Sequence, residues 1–307
     1  MIPTFFIVGA PRCGTSSLYL YLDAHPQIFM SKPKEPHHFG SDLDLRPRPY
    51  ADREAYLKLF EGAGKVSHAG EASVLYLYSR TAPEEILALN PAARIIIMLR
   101  DPVEMICSLH LHNLLLNYED IGDLEQALEA ESDRREGRRI PPTCIPPLSL
   151  QYTTVAKYAD HVVRYQEAFG RDRVLCVLFD DLCAEPESIY EQTLSFLGLE
   201  GSGRPEFKAH NQGLSWRSQR AAQVLLPAYS RCYGLASKLP TKLLRLSALG
   251  MVGTLFYLPL KLNLRPAPTP PLGIERRRVL REGFREDVER LADLLGRDLS
   301  KWLRPEG

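Results

Sequence analysis

The fold of this chain is decided by the stretch Phe5-Phe6-Ile7-Val8-Gly9-Ala10-Pro11-Arg12-Cys13-Gly14-Thr15-Ser16-Ser17-Leu18-Tyr19-Leu20. Its first apolar and β-branched residues predict a strand that is covered on both faces. Gly9 and Gly14 permit backbone conformations and close approaches that larger residues would block. The stretch therefore predicts a buried strand, a loop and the first turn of a helix, in that order.

The loop in this stretch has the spacing of a phosphate-binding loop. Gly9, Gly14 and Ser16 match the pattern G-x-x-x-x-G-K-[ST], but Thr15 stands where the pattern has lysine. The helix N-terminus that follows Gly14 favours an anion. A nucleoside triphosphate needs the lysine for its terminal phosphates, so the loop suits a nucleotide with less charge there, with Arg12 as the replacement cation. The alternative is a turn that binds no ligand.

The composition limits the fold and the partners. With 307 residues, 45% of them hydrophobic, the chain can form one large α/β domain or two smaller ones. Lysine plus arginine equals aspartate plus glutamate at 38 each, so nothing global points to nucleic acid or an anionic membrane. The six cysteines form no C-x-x-C pair, which predicts a reducing compartment without disulfides or a zinc site. The short N-terminal apolar run is not a signal peptide, so we expect a cytoplasmic location.

Strands and helices alternate along most of the sequence. Besides the first strand, apolar runs predict strands at 28–30, 65–71, 94–99 and 173–179, with helices between them. This alternation is typical of an α/β fold with a central parallel sheet flanked by helices. We expect the P-loop-like, three-layer form of that fold. We also expect one domain over 1–307, with a helical, partly apolar C-terminal region at about 218–307.

A cluster of charged and titratable residues lies in the loop at 31–40. It contains Lys34, Glu35, His37 and His38, between prolines that restrict the backbone. Glu35 or a histidine is a candidate general base, and the lysines are candidates to meet anionic groups. The alternative is a solvated surface loop.

A second candidate anion site follows the strand at 94–99. Asp101 is predicted to cap the next helix with Pro102 at its first position, which leaves Arg100 at the carboxyl edge of the sheet. Ser108 lies close to two turns beyond Asp101, on the same side of that helix. Ligands of open α/β sheets bind at this edge, so Arg100 and Ser108 are a candidate phosphate site. The alternative is an arginine paired to a carboxylate for structural reasons.

Two C-terminal segments are candidates for ligand or surface contacts. In the segment 210–220, Trp216, Arg217 and Arg220 could fold over a nucleotide, with the indole on a base and the arginines on phosphate, or begin an exposed helix. The apolar stretch 243–264 is interrupted by charges and a proline, which predicts a buried or partner-facing helical segment rather than a membrane span. Peripheral membrane contact or an apolar acceptor channel stays open.

Two further segments are predicted to have structural roles. The sequence at 119–139 is strongly charged, and its helix-like stretch at 123–134 is expected to be solvated. Tyr76 and Tyr78 are expected to be half-buried packing residues, with the lining of an acceptor site as the alternative.

These motifs together resemble the sulfotransferases that use 3′-phosphoadenosine 5′-phosphosulfate, PAPS. Residues 11–18 look like their 5′-phosphosulfate loop, and Arg100-Asp101-Pro102 with Ser108 looks like their 3′-phosphate site. Residues 34–39 resemble the catalytic loop of the branch that includes the Golgi heparan sulfate enzymes and many bacterial relatives. The resemblance covers nearly the whole chain, and loop and phosphate site together are specific.

The resemblance implies a role for each matched residue. Arg12 would stand near the oxygen that bridges phosphate and sulfate. The cosubstrate's 5′-phosphate would be held by Cys13, Gly14, Thr15, Ser16 and Ser17, its 3′-phosphate by Arg100 and Ser108, and its adenine side by Trp216, Arg217 and Arg220.

The implied reaction is in-line transfer of the sulfuryl group to a hydroxyl of a small molecule, lipid or glycan. Glu35 would take the proton of the acceptor, with His37 as the alternative base, and no metal is expected. Ala72 stands where the heparan sulfate enzymes carry a lysine, which weakens the case for a polyanionic sugar. A P-loop kinase and an inactive nucleotide-binding module are the competing interpretations.

Overall fold

The central sheet has five strands in the order β2-β3-β1-β4-β5, and every neighbouring pair is parallel. The structure, a computed structural model, describes residues 1–200, 205–208, 214–237, 247, 251–266 and 272–304. The strands are β1 (Phe5–Gly9), β2 (Ile28–Met30), β3 (His68–Ala72), β4 (Arg94–Leu99) and β5 (Val174–Leu178). All five residues of β1 are buried, as expected for a central strand. The predicted α/β fold with a parallel sheet is confirmed.

Helices connect the strands and flank the sheet. They are α1 (Thr15–Asp23), α2 (Arg53–Lys58), α3 (Ala82–Leu89), α4 (Pro102–Leu115), α5 (Leu124–Glu129), α6 (Glu131–Arg135), α7 (Tyr152–Val155), α8 (Ala159–Phe169), α9 (Phe179–Ala184) and α10 (Pro186–Leu197). The strands predicted at 65–71 and 173–179 are shorter than expected, because their ends belong to turns and to α9. Such differences are confined to the ends of elements.

In its described residues, the C-terminal region contains further helices and a small antiparallel pair of strands. These elements are β6 (Leu214–Trp216), α11 (Gln219–Ser237), a π-helical turn (Gly253–Tyr257), α12 (Leu258–Leu262), β7 (Leu264–Pro266) and α13 (Ile274–Leu295). Leu299 and Trp302 are buried, and the Trp302 indole donates to Asp180 at 3.2 Å, which docks the end of the described chain on α9. Among the helices of the described ranges, none combines the length and apolar character that crossing a membrane requires.

The predicted caps place the polar loops at one edge of the sheet. The Asp101 carboxylate accepts from the backbone N–H groups of Val103 and Glu104, and so begins α4 directly after β4. Gly14 has a φ of 84° before α1, and a Cβ there would lie 2.8 Å from a methyl of Leu182. Only glycine fits this turn without displacing its neighbours. Because the strands are parallel, the loops after β1 and β4 emerge side by side.

The charged stretch at 119–139 is not the solvated surface that its composition predicts. Arg134 and Glu119 are fully buried and form a two-pronged pair, with N···O distances of 2.7 and 2.6 Å. The Tyr152 hydroxyl and the N–H groups of Asp120 and Ile121 also donate to Glu119. These bonds compensate for the cost of burying both charges. The prediction of a solvated stretch was therefore wrong for Arg134.

Replacement of Arg134 by methionine should destabilise the protein by about 3 to 5 kcal/mol, because the Glu119 carboxylate would lose its buried partner. Urea unfolding followed by circular dichroism measures this loss. Arg138→Met is the matched control, since Arg138 pairs with Asp133 at the surface and should leave stability nearly unchanged. Equal stabilities for the two variants would contradict a structural role for the buried pair.

Candidate active site

Two arginines meet where β1 and β4 end. An Nη atom of Arg100 lies 3.4 Å from the carbonyl oxygen of Arg12, and Nε of Arg12 donates to the Ser108 hydroxyl at 3.1 Å. The Arg100 guanidinium lies over the Phe179 ring at 4.6 Å, and the same ring borders Gly14. The contacts therefore bring the loop after β1 together with Arg100 and Ser108 at the carboxyl edge of the sheet.

The charges around these arginines leave a site suited to an anion. Burial, and then the charge of Arg100, lower the pKa of Arg12. Glu104 lies 3.9 Å from Arg100, but it also accepts from Arg277 at 2.6 Å, so its charge is shared. Arg281 of α13 lies 3.7 Å from Asp101, the residue that caps α4. Positive charge is thus concentrated beside the N-terminus of α1, and an anion bound there would relieve the repulsion.

Exposure alternates along the first loop. Arg12, Gly14 and Ser16 are partly exposed, whereas the side chains of Cys13, Thr15 and Ser17 are buried. The thiol of Cys13 donates to the carbonyl of Pro11, and burial raises its pKa to about 12. The side chain of Cys13 is therefore part of the core, and only its backbone can face a ligand.

Glu35 is the central carboxylate of the loop after β2. One of its oxygens accepts from Nζ of Lys34 at 2.6 Å, and the other lies 3.5 Å from Nε2 of His37. Burial opposes ionisation, but the hydrogen bond to His37 and the charge of Lys34 outweigh it and bring the pKa of Glu35 to about 2. The side chain of Glu35 is 37% exposed, so the charged carboxylate remains accessible to a ligand.

Backbone contacts hold this loop in an unusual conformation. Glu35 and His37 have positive φ angles of 63° and 50°. The N–H of Glu35 donates to the carbonyl of Ala72 at 2.9 Å, and the N–H of His37 donates to the Ser73 hydroxyl. The Arg48 guanidinium donates to the carbonyls of His37, His38 and Phe39, with distances of 2.7 to 3.3 Å. Arg48 therefore closes the loop around Glu35.

A buried aromatic layer lies beneath the loop. The His38 ring stacks on Tyr56 at 4.1 Å and bonds to the carbonyl of Tyr50, so His38 has a structural role. The Tyr56 hydroxyl donates to the buried carboxyl of Glu71, and burial raises the pKa of Glu71. Tyr76 is fully buried and its oxygen accepts from the N–H of Phe39. Tyr76 is a packing residue, as expected.

A cavity of about 390 Å³ opens beside Glu35. Most of its lining is apolar, and six polar residues interrupt it. The apolar residues are Pro11, Pro36, Leu45, Pro47, Pro49, Val74, Leu75, Leu109, Leu116, Ile145, Pro146 and Val155, with Tyr78 and Tyr118 at the wall; the polar ones are Glu35, His37, Arg46, His112, Asn113 and Ser149. The cavity is thus a mainly apolar space with one carboxylate and two histidines on its wall.

Sequence reasoning missed two residues of this region. His112 lies one turn after Ser108 on α4; burial, and then the charge of Arg12, lower its pKa to about 4. It is therefore neutral at pH 7. Arg48 was part of a proline-rich loop without an assigned role. The four-residue spacing from Ser108 was the only available signal for His112, and the sequence carried none for Arg48.

The segment around Trp216 lies at the other end of α4. The Trp216 indole donates to the carbonyl of Leu115 at 2.9 Å, seven residues from Ser108 and so about 10 Å along the helix. Arg217 and Arg220 are exposed. Residues 210–213 of this segment lie outside the described residues. The structure therefore brings together Arg12, Ser108 and Arg100, and places Trp216 at the C-terminal end of α4, about two turns beyond Ser108.

A family model described as a sulfotransferase domain matches residues 3–223 of the chain. The chain is similar to the sulfotransferase from Alicyclobacillus acidocaldarius, whose crystal structure superposes with a TM-score of 0.72 at 27% identity, covering 99% of this chain and 100% of that one. The similarity of fold and sequence extends over both chains from end to end.

Curated relatives show the same kinship at lower coverage of their own length. The chain is 24% identical to a bifunctional heparan sulfate N-deacetylase/N-sulfotransferase 4 from Mus musculus, over 99% of this chain and 31% of that protein. It is 33% identical to human carbohydrate sulfotransferase 15 over 36% of this chain and 27% of that protein. The chain thus spans about a third of the length of the curated relatives it matches first.

Replacement of Lys34 by methionine should raise the pKa of Glu35 from about 2 toward its ordinary value. The reason is that the carboxylate would lose a neighbouring cation and a hydrogen bond, both of which favour its charged form. The titration of the Glu35 carboxyl carbon, followed by NMR, measures the change. Lys32→Met is the control, because Lys32 pairs with Asp23 instead. An unchanged Glu35 titration in Lys34→Met would contradict this account.

Proposed function

Since this chain belongs to the sulfotransferase family, we propose that it transfers a sulfuryl group from PAPS to a hydroxyl of an acceptor that occupies the cavity beside Glu35. Membership rests on the match over residues 3–223, and the chain is a sulfotransferase enzyme of α/β fold. The donor, the acceptor and the roles of individual residues are the proposal. The observation that supports it is the convergence of Arg12, Arg100 and Ser108, together with the position of His112, whose pKa responds to both Arg12 and Glu35.

The arginine pair and the helix N-terminus fit a doubly phosphorylated nucleotide. Arg12, Gly14 and Ser16 would contact its 5′-phosphosulfate, with backbone donors of the buried neighbours Cys13, Thr15 and Ser17 completing the cradle. Arg100 and Ser108 would hold its 3′-phosphate. The bound nucleotide supplies the sulfuryl group and a phosphate leaving group. Trp216, Arg217 and Arg220 would border its adenine side, across the length of α4.

Glu35 is the proposed general base. Its low pKa keeps it ionised at neutral pH, and its exposed carboxylate lies on the cavity wall. As the acceptor oxygen forms a bond to sulfur, its proton passes to Glu35, while the electron pair of the broken S–O bond stays on the phosphate oxygen. Arg12 stabilises the charge that develops there. His37 lies 3.5 Å from Glu35 and is the alternative base.

Lys34 tunes the base in this scheme. While Lys34 binds Glu35, the carboxylate is a weak proton acceptor, because its pKa is about 2. An anionic donor beside Lys34 would attract the ammonium away and so raise the pKa of Glu35. The base would then become stronger when the donor is bound.

The cavity favours an acceptor with an apolar body. Its lining is mostly proline and aliphatic side chains, and Ala72 beside the loop is fully buried. A polyanionic sugar would gain little from such a surface. We therefore propose a hydroxyl compound with an aromatic or aliphatic skeleton. The relatives whose names include heparan sulfate are longer proteins, of which this chain covers about a third.

Calorimetric titration tests the nucleotide assignment. 3′-Phosphoadenosine 5′-phosphate should bind far more tightly than AMP or ATP, and without magnesium. Arg100→Ala should weaken it about tenfold to a hundredfold, because a charge-assisted contact is lost. Arg53→Ala, an exposed arginine of α2, is the control. Tighter binding of ATP with magnesium would favour a kinase.

Turnover with labelled PAPS and a panel of phenols and long-chain alcohols tests the base. Glu35→Gln should bind the nucleotide normally and lower turnover about a hundredfold or more. Unchanged turnover in this variant would move the role to His37. No turnover of the unmodified chain, despite tight nucleotide binding, would support an inactive binding module.

Arg48→Met should lower turnover about a hundredfold while nucleotide affinity stays the same, because the loop that positions Glu35 would lose three backbone contacts. The ratio of kcat to nucleotide affinity is the readout, since a variant that merely unfolded would lose both. Loss of nucleotide binding in parallel with turnover would argue against a positioning role for Arg48.

A further inference from the structure

The helical segment at 251–262 carries an exposed apolar stripe. Met251, Leu255, Leu258 and Leu262 are 64%, 62%, 48% and 69% exposed. Their spacing of four, three and four residues places them along one side of the helix. Large apolar side chains exposed in a contiguous row mark a contact surface. The described residues thus present an unpartnered apolar face of about three helical turns.

A second helix packs beside this segment. α11 packs against the π-helical turn and α12, and Tyr229 of α11 meets Tyr257 with ring centroids 6.1 Å apart. On α11 itself, Val224, Tyr233 and Leu235 are 71%, 48% and 71% exposed. Tyrosines with an apolar body and a polar tip are typical of the boundary between water and lipid.

The charge of this region differs from that of the rest of the chain. The sequence contains no aspartate or glutamate between Glu206 and Glu275, but nine lysines and arginines. Since the whole chain has no net charge, the residues outside this segment include nine more acidic than basic side chains. Within the described part of the segment, Arg231 on α11, Lys261 on α12 and Arg265 on β7 are exposed. The segment that carries the apolar face therefore contributes exposed basic side chains and, by its sequence, no acidic ones.

We propose that the surface formed by α11 and residues 251–262 docks on a lipid bilayer that contains anionic lipids. The apolar stripe would enter the boundary between headgroups and acyl chains, and the basic side chains would contact the negative headgroups. The absence of acidic residues from the sequence of this segment is the observation that selects an anionic surface. The inference does not depend on which acceptor the cavity holds.

A second copy of the chain fits this surface less well. In a two-fold dimer the same patch lies on both subunits, so two strongly basic surfaces would face each other. Like charges brought together in this way oppose association. The negative headgroups of an anionic bilayer would instead attract the basic surface.

Docking would place the cavity near the lipid. The Trp216 indole bonds to the carbonyl of Leu115, and the next residue, Leu116, lines the cavity. Trp216 lies on β6, which pairs with β7. β6 is followed in the chain by α11, and β7 is preceded by α12. The docking surface and the cavity are thus connected through the end of α4.

Vesicle sedimentation of the full chain tests this inference. Vesicles of phosphatidylcholine with phosphatidylglycerol should bind the protein, vesicles of phosphatidylcholine alone should bind it at least tenfold more weakly, and added salt should weaken binding to the first. The double variant Leu255→Gln/Leu262→Gln and the double variant Arg231→Gln/Lys261→Gln should each reduce binding about tenfold or more. Thermal unfolding confirms that the variants fold.

Matched controls lie elsewhere on the surface. Val279→Gln changes an exposed apolar residue of α13, and Arg53→Gln/Lys65→Gln changes an exposed arginine and lysine outside the segment. Binding should survive in both. No binding to anionic vesicles, equal binding to both vesicle types, or unchanged binding by the two test variants would overturn the inference. A concentration-dependent dimer that Leu255→Gln/Leu262→Gln abolishes, without vesicle binding, would assign the surface to a second copy instead.

Discussion

The close approach of Arg12 and Arg100 is the constraint on which the site depends. Burial, and then repulsion by the charge of Arg100, lower the pKa of Arg12. The fold holds them there because β1 and β4 are parallel neighbours whose ends meet at one edge. Asp101 fixes the start of α4, and Glu104 and Arg277 brace Arg100 from the other side. A bound anion would relieve the repulsion between these like charges, which is why the proposal places the nucleotide there.

The carboxylate loop solves a different problem. Glu35 must remain charged and accessible although much of its surroundings is apolar. Its backbone adopts a positive φ that costs free energy, and contacts with Ala72, Ser73 and Arg48 compensate for that cost. The proposed base and the proposed anion site are thus positioned by separate sets of bonds. A change in one set can alter turnover without altering nucleotide binding.

The cavity beside Glu35 and the exposed stripe at 251–262 are two apolar surfaces of different kinds. The cavity beside Glu35 is enclosed and suits a small apolar body, whereas the stripe at 251–262 lies in the open and suits a larger partner. Leu116 lines the cavity, and the carbonyl of Leu115 accepts a hydrogen bond from the indole of Trp216 on β6. An acceptor that partitions into lipid would find both surfaces within one helix of each other.

The sequence by itself determined the parallel sheet, the turn at Gly14 and the cap at Asp101, because these depend on local periodicity and on single-residue backbone preferences. It also marked Arg12, Glu35, Arg100 and Ser108, since these residues follow predicted strands. Only the tertiary structure decided which charges are buried and what holds them. The pairing of Glu119 with Arg134, the clamp of Arg48 and the position of His112 arise from contacts between segments far apart in the chain. No local pattern encodes such contacts, because burial depends on how the elements pack.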